Sequence, residues 1–239
     1  MIELIIGTQP DDETCGPTSL RAIYLYYGLN LPLEEIIQEV DKSLSGGTLT
    51  PMLGKHALLQ GFQTTIYIYN LNIFDLTWFH NGEANNFFLR HKLETQMKYK
   101  NNDPYIVKAT LAYLDYLELG GKIRSNSLNV DLLKKYFNKK IPILTALSAT
   151  YLYRSPREHF TPEGKSVYDD IRGEPCGHFV VLCGYDEKKR LIIVADPHAE
   201  NPLSHNNYYK VSINRLINSI MLGVLTYDAN LLIIEPKER

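Results

Sequence analysis

Apolar positions along this chain follow two rhythms, and the order in which those rhythms appear predicts the fold class. Residues 2–6 are apolar and β-rich, which predicts a short strand. In PTSLRAIYLYYG, Leu20, Ile23, Tyr24 and Tyr27 recur at i, i+3, i+4 and i+7, the stripe of a helix packed into a core. Pro17 suits its first helical position and Gly28 the residue just past its end. A second helix fits Leu33–Val40 and a third Pro51–Gln60, with Thr50 as N-cap and Gly61 as the stop. The run QTTIYIY at 63–69 is β-branched and aromatic, hence a strand.

The stretch 71–138 is helical in pattern, with helices expected near 72–80, 86–100, 104–119 and 129–138 and a break at Gly120-Gly121. IPILTALSA at 141–149 reads as a strand. Residues 150–177 read as a long loop, a length usually tied to function or mobility. HFVVLCGY at 178–185 and RLIIVAD at 190–196 flank a polar turn and predict a hairpin. YYKVS is a further strand, INRLINSIML a helix, and LLIIEP at 231–236 a closing strand. Helices come early and β-structure late, so the fold class is α+β rather than an alternating Rossmann-like arrangement.

Composition narrows the function classes. The chain has 239 residues, 25 Lys plus Arg against 27 Asp plus Glu, 44% hydrophobic and 22% charged residues. These are the proportions of an ordinary globular protein, and the length allows one large domain or two small ones. A net charge of −2 without basic runs argues against a nucleic-acid partner. No apolar stretch approaches the ~18–20 residues that span a bilayer, so no membrane partner is expected. MIELIIGTQPDDE is broken by Glu3 and lacks a basic start, so it does not read as a signal peptide. Three cysteines make no disulfide framework, and reduced thiols in the cytoplasm are the expectation. Tyrosine is frequent, at 17 residues, but identifies no chemistry.

Three pieces carry chemistry: Gln9 six positions before Cys15, Gly177-His178 opening a strand, and Asp196-Pro197 ending its hairpin partner. Cys15 lies at a helix start, where unpaired N–H groups and the helix dipole favour the thiolate, the nucleophilic form. Gly16 beside it lets backbone approach a substrate, and Gly177 does the same beside His178. Gln9 can donate a side-chain N–H to an oxyanion together with a backbone N–H near Cys15. Positions 178 and 196 are symmetric about 187. With a turn of three or five residues they fall opposite or diagonal on one face, where a carboxylate fixes an imidazole's tautomer; a slip of one residue parts them.

Blander readings stand beside each. Cys15 alone also reads as a buried structural thiol, His178 as a core histidine, Asp196 as the cap of the turn at Pro197, and Gln9 as a loop residue bonded to backbone. Cys183 is an odd number of positions from His178 and reads as core, while Cys176 is near the site without a helix terminus. His159, His198 and His205 match no zinc spacing, so neither metal nor cofactor is expected. Arg154, Arg157 and Arg172 read as solvated, or as a clamp for a substrate carboxylate.

QPDDETCGPTSL together with GHFVVLCGYDEKKRLIIVADPH resembles the papain-like cysteine peptidases that cleave double-glycine leaders from bacteriocins, in their standalone form without an exporter. The resemblance covers about residues 5–65 and 140–200. It implies a papain-like fold, with a central N-terminal helix packed on a late antiparallel sheet. The helical stretch 71–138 departs from that pattern and reads as an insertion within one domain over 1–239, so the substrate class is not inherited. It further implies Cys15 as nucleophile, His178 as general base and acid, Asp196 as its orienter and Gln9 as oxyanion donor, acting on a peptide or amide substrate. An acyl-enzyme attacked by an amine, as in phytochelatin synthases, would make the same triad a transpeptidase or acyltransferase. A catalytically idle peptide-binding module is the reading from another class. Gly46-Gly47 and Gly120-Gly121 read as turns.

Overall fold

In the computed structural model, which describes residues 2–44, 46–161, 166–226 and 228–237, a central helix is laid against a seven-stranded sheet. In chain order the elements are α1 (Cys15–Tyr26), α2 (Leu33–Glu39), α3 (Thr50–Leu59), β1 (Phe62–Ile68), α4 (Asn86–Tyr99), α5 (Pro104–Glu118), β2 (Lys122–Arg124) and α6 (Val130–Phe137). Then follow β3 (Ile143–Ser148), α7 (Ala149–Tyr153), β4 (Glu158–Phe160), β5 (Ser166–Tyr168), β6 (Gly177–Asp186), β7 (Leu191–Ala195), β8 (Tyr208–Ser212), α8 (Ile213–Leu222) and β9 (Asn230–Pro236). The class is α+β, as the order of rhythms predicts.

The large sheet runs β2-β1-β9-β3-β6-β7-β8 and is antiparallel except for the edge pair β1–β2. Its centre is almost wholly apolar: Ile143, Leu144, Val180, Val181, Leu182, Leu231, Leu232 and Ile233 are all fully buried. Such runs mark strands covered on both faces. Helix α1 lies along β6, where the Ser19 hydroxyl donates to the Phe179 carbonyl at 3.3 Å, and Leu20, Ile23 and Tyr24 on its apolar stripe are fully buried.

Several expectations are corrected. Residues 2–6 alternate buried and exposed as a strand would, but they join no ladder. Ile2 N–H donates to the Cys183 carbonyl at 2.9 Å. The Tyr208 hydroxyl then accepts from Ile6 N–H and donates to the Leu4 carbonyl, so one side chain stands in for a strand partner. Pro17 sits two positions inside α1 rather than at its start, because the helix begins at Cys15. Thr50 is the first residue of α3, not its cap; the buried Asp228 carboxylate accepts from both Thr50 N–H (2.6 Å) and its hydroxyl (2.9 Å). That cap is supplied from 178 positions away, which local spacing does not reveal.

The stretch 71–138 is not helical throughout. Only a 3-10 turn at Leu76–Trp78 occupies the first predicted helix, and β2 pairs in parallel with β1 through Ile123 opposite Ile66. The long loop at 150–177 holds α7 and the paired strands β4 and β5; residues 162–165 lie outside the described residues. Elements of three to five residues are too short for a periodicity to register.

Candidate active site

The hairpin of β6 and β7 places His178 against Asp196 by an indirect route. The connecting turn has four residues, 187–190, with Asp186 opposite Leu191 and Gly184 opposite Ile193. Continued unchanged, that register would set Asp196 opposite Val181, three positions from His178 and therefore on the other face. A β-bulge between Leu182 and Gly184, with Cys183 as the extra residue, shifts the pairing to Leu182–Val194 and Val181–Ala195. Asp196 then comes opposite Val180, two positions from His178 and on its face. The expected three- or five-residue turn is thus corrected to a four-residue turn whose parity the bulge reverses. The bulged residue's carbonyl is the one that Ile2 N–H takes.

The result is a direct bond: His178 Nε2 to Asp196 Oδ1, 2.8 Å, with the carboxylate fully buried. Asp196 has no idle acceptor. Oδ1 also receives the His198 N–H at 2.9 Å, and Oδ2 receives the hydroxyls of Tyr153 (2.7 Å) and Tyr209 (2.6 Å). The turn-capping and imidazole-orienting readings of Asp196 therefore hold together, on one oxygen. Burial alone would raise the Asp196 carboxyl. The His178 charge and these hydrogen bonds outweigh it and hold the group below the usual carboxylate range.

His178 is buried, which by itself lowers an imidazole. The charge and hydrogen bond of Asp196, then the hydrogen bond and charge of Cys15, push it up to about 10. Since Nε2 faces Asp196, Nδ1 is the nitrogen left for the thiol. Cys15 is buried at the first position of α1. Thr14 makes no side-chain cap there and no acidic residue occupies the first turn, so the N–H groups beside the sulfur have no side-chain acceptor from the cap.

Gln9 is tied to the same corner, its N–H donating to the Pro197 carbonyl at 2.9 Å. Its side-chain amide donates to the Asp11 carbonyl (2.8 Å), which leaves the second amide hydrogen, while Oε1 is buried without a partner among the described residues. The two glycines differ. A Cβ on Gly16 would meet Thr48 Cγ2 at 2.3 Å, so its small size serves helix packing and it does not line the cavity beside His178. Gly177 does line that cavity, and a Cβ there would meet the Thr226 hydroxyl at 2.7 Å.

Tyr153 and Tyr209 were not singled out in the sequence, since tyrosine is common throughout. Tyr209 was within reach of the parity argument: Val194 pairs with Tyr209 in β8, which brings the phenol beside Asp196. Tyr153, His178 and His198 form an aromatic group with ring centroids 6.1–6.4 Å apart. Burial and the His178 charge hold His198 below its ordinary range.

The other cysteines separate from Cys15. Cys183 is buried with the core. Cys176 lines the cavity, but burial, then the Glu158 charge, push its thiol well up, away from the thiolate. Among the described residues no group of three His, Cys, Asp or Glu is placed to hold a metal ion, and no helix is long and apolar enough to cross a membrane. Arg172 pairs with Asp169 at 2.6 Å, and Arg157 donates to the Asp170 carbonyl. Neither they nor Arg154 line the cavity, so the carboxylate clamp finds no support.

Several solved structures resemble the chain, among them the following three. A double glycine motif protease from an AMS/PCAT transporter, in complex with its leader peptide, is 15% identical, with 99% of this chain and 94% of that chain covered and a TM-score of 0.45. The peptidase domain of Streptococcus ComA, a bi-functional ABC transporter involved in quorum sensing, is 14% identical, covering 99% and 100%, with a TM-score of 0.45. Xylellain, a cysteine protease from Xylella fastidiosa, is 11% identical, covering 100% and 88%, with a TM-score of 0.44. No curated protein sequence matches. The assignment rests instead on sequence: residues 2–219 match the Peptidase_C39 like family. The chain belongs to that family and is a cysteine peptidase-like hydrolase.

Proposed function

We propose that the protein hydrolyses a peptide or amide bond through Cys15, His178 and Asp196. The observation that carries this reading is the His178 ring held by Asp196 at 2.8 Å on Nε2, with Cys15 acting on the same ring. Cys15 Sγ attacks the amide carbonyl carbon, and its proton resides on His178 Nδ1. The second amide hydrogen of Gln9 and the Cys15 N–H stabilise the oxyanion of the tetrahedral intermediate. His178 then protonates the departing amine, the C–N bond breaks and an acyl-thioester remains on Cys15. Water, deprotonated by His178, attacks the thioester and releases the acid. Asp196 keeps the ring in one tautomer and offsets its positive charge.

The reading treats the chain as one domain, with 71–138 as an elaboration of it, and the free thiols suit a reducing compartment such as the cytoplasm. Its test is labelling with a panel of electrophilic peptide probes, followed by mapping of the modified cysteine. Modification confined to Cys15 and lost in His178→Ala is expected. Equal modification of Cys176, or labelling that survives His178→Ala, would overturn it.

A further inference from the structure

The cavity beside His178 has a volume of about 260 Å³ and lies between the loop bearing Gln9 and Asp12, α7, the β4–β5 pair and the start of β6. That is below the roughly 300–1,000 Å³ of sites for drug-sized ligands, so it suits one side chain rather than a folded molecule. Apart from His178, whose charge Asp196 offsets at 2.8 Å, its charged lining is acidic. Asp12 stands on one wall and Glu158 on another, and both act on the same two groups, His198 and the Cys176 thiol. Cys176 in turn feels Cys15, so the two carboxylates and the nucleophile share one space.

No lysine or arginine lines the cavity among the described residues. The donors that meet Glu158 are neutral, the Ser166 hydroxyl and the Cys176 thiol, and the nearby Arg172 and Arg157 are engaged elsewhere, with Asp169 and Asp170. A separate observation on the same wall points the same way. Gln9 Oε1 is a buried acceptor with no partner among the described residues, and such an atom is costly unless a donor arrives. Acceptors and negative charge in a partly enclosed space concentrate cations.

We propose that this cavity receives the positively charged side chain, lysine or arginine, of a residue flanking the scissile bond, with Glu158 and Asp12 as its specificity-determining partners. The inference rests on the reading of Cys15 and His178 given above and names the substrate class that this site takes.

The experiment begins with a synthetic peptide mixture in which every residue type occurs on both sides of a central amide, with cleavage read by mass spectrometry. The best substrate is then remade with arginine or with citrulline, its neutral isostere, at the preferred position. Arginine is expected to exceed citrulline in kcat/KM by about tenfold, or about 1.4 kcal/mol. Glu158→Gln should shrink that ratio to about threefold or less, and Asp12→Lys, a change on an exposed loop, should shrink it independently of any effect on the β4–β5 pair. Rising salt should narrow the ratio in the wild type. Equal turnover of arginine and citrulline, or a preference that survives both substitutions together, would overturn the proposal alone. Cleavage of no peptide at all, or cleavage that persists in Cys15→Ala, would overturn the peptidase reading and this inference with it.

Discussion

Asp196 is an acceptor with every position filled, and two of its four donors are phenols. A phenol donates without accepting the carboxylate's charge, so Tyr153 and Tyr209 hold Asp196 ionised and fixed, as the proposed proton transfer by His178 requires. Tyr209→Phe removes one donor from a buried carboxylate, which raises its pKa. The acid limb of kcat/KM should move to higher pH, with stability lower by about 1–2 kcal/mol. A role confined to packing would scale activity equally at all pH. At the other end, His178 held at about 10 should keep the alkaline limb well above the ordinary imidazole range. The same raised value stabilises the fold fully below about 6.5, and that contribution is lost as pH rises through about 10. Cys15, His178 and Asp196 were legible because a helix start and a hairpin have fixed geometry. The phenols were not, because Tyr153 reaches Asp196 from 43 positions away, out of a five-residue helix with no periodic signal.

Among the elements, the β6–β7 hairpin shows where a sequence argument runs out. The two strands and their facing ends were readable, but the parity depended on a four-residue turn and a one-residue bulge that cancel each other. Deleting Cys183 removes the bulge but keeps Leu182 opposite Val194 and Asp196 opposite Val180, so His178 stays on the face of Asp196. Probe labelling of Cys15 should therefore persist, and still be lost in His178→Ala, while circular dichroism retains the sheet. Helix α1 makes a second element-scale case. Gly16→Ala places a methyl 2.3 Å from Thr48 Cγ2, so α1 and the segment before α3 must part, at about 1–3 kcal/mol of stability. The third concerns α3. Asp228 is buried, and burial outweighs its bonds from Thr50 and Asn230 to raise its carboxyl to about 6. A raised carboxyl stabilises the fold fully below about 3.8, and this is lost as pH rises through about 6. The loss is roughly 3 kcal/mol, and Asp228→Asn should abolish that slope in denaturant titrations.

For the whole molecule, the decisive point is how 71–138 is joined to the rest. Tyr113 and Tyr116 of α5 are buried, Tyr116 donating to the Lys122 carbonyl and accepting from the Thr64 hydroxyl of β1, while Asn230 of β9 donates to Tyr113. β2 closes the sheet's edge beside β1. Excision of 71–121 would open cavities under α3, each large aromatic lost costing about 3–5 kcal/mol. The shortened chain is expected to lose its cooperative thermal transition. The longer helices and the strands β1, β3, β6, β7, β8 and β9 were legible from the two rhythms, whereas this interlocking was not, because it is carried by single phenols meeting across long separations.

Those separations have a further consequence for a chain made from its N-terminal end. The helix that bears Cys15 is bonded to β6 across 160 positions, and the segment 2–9 awaits Tyr208, 202 positions from Ile6. The sulfur therefore leaves the ribosome long before the imidazole and carboxylate that would arm it. A growing polypeptide holds Cys15 without these partners, so under the proposed mechanism hydrolysis arises only when synthesis is nearly finished, and the topology spares the cell's own nascent chains.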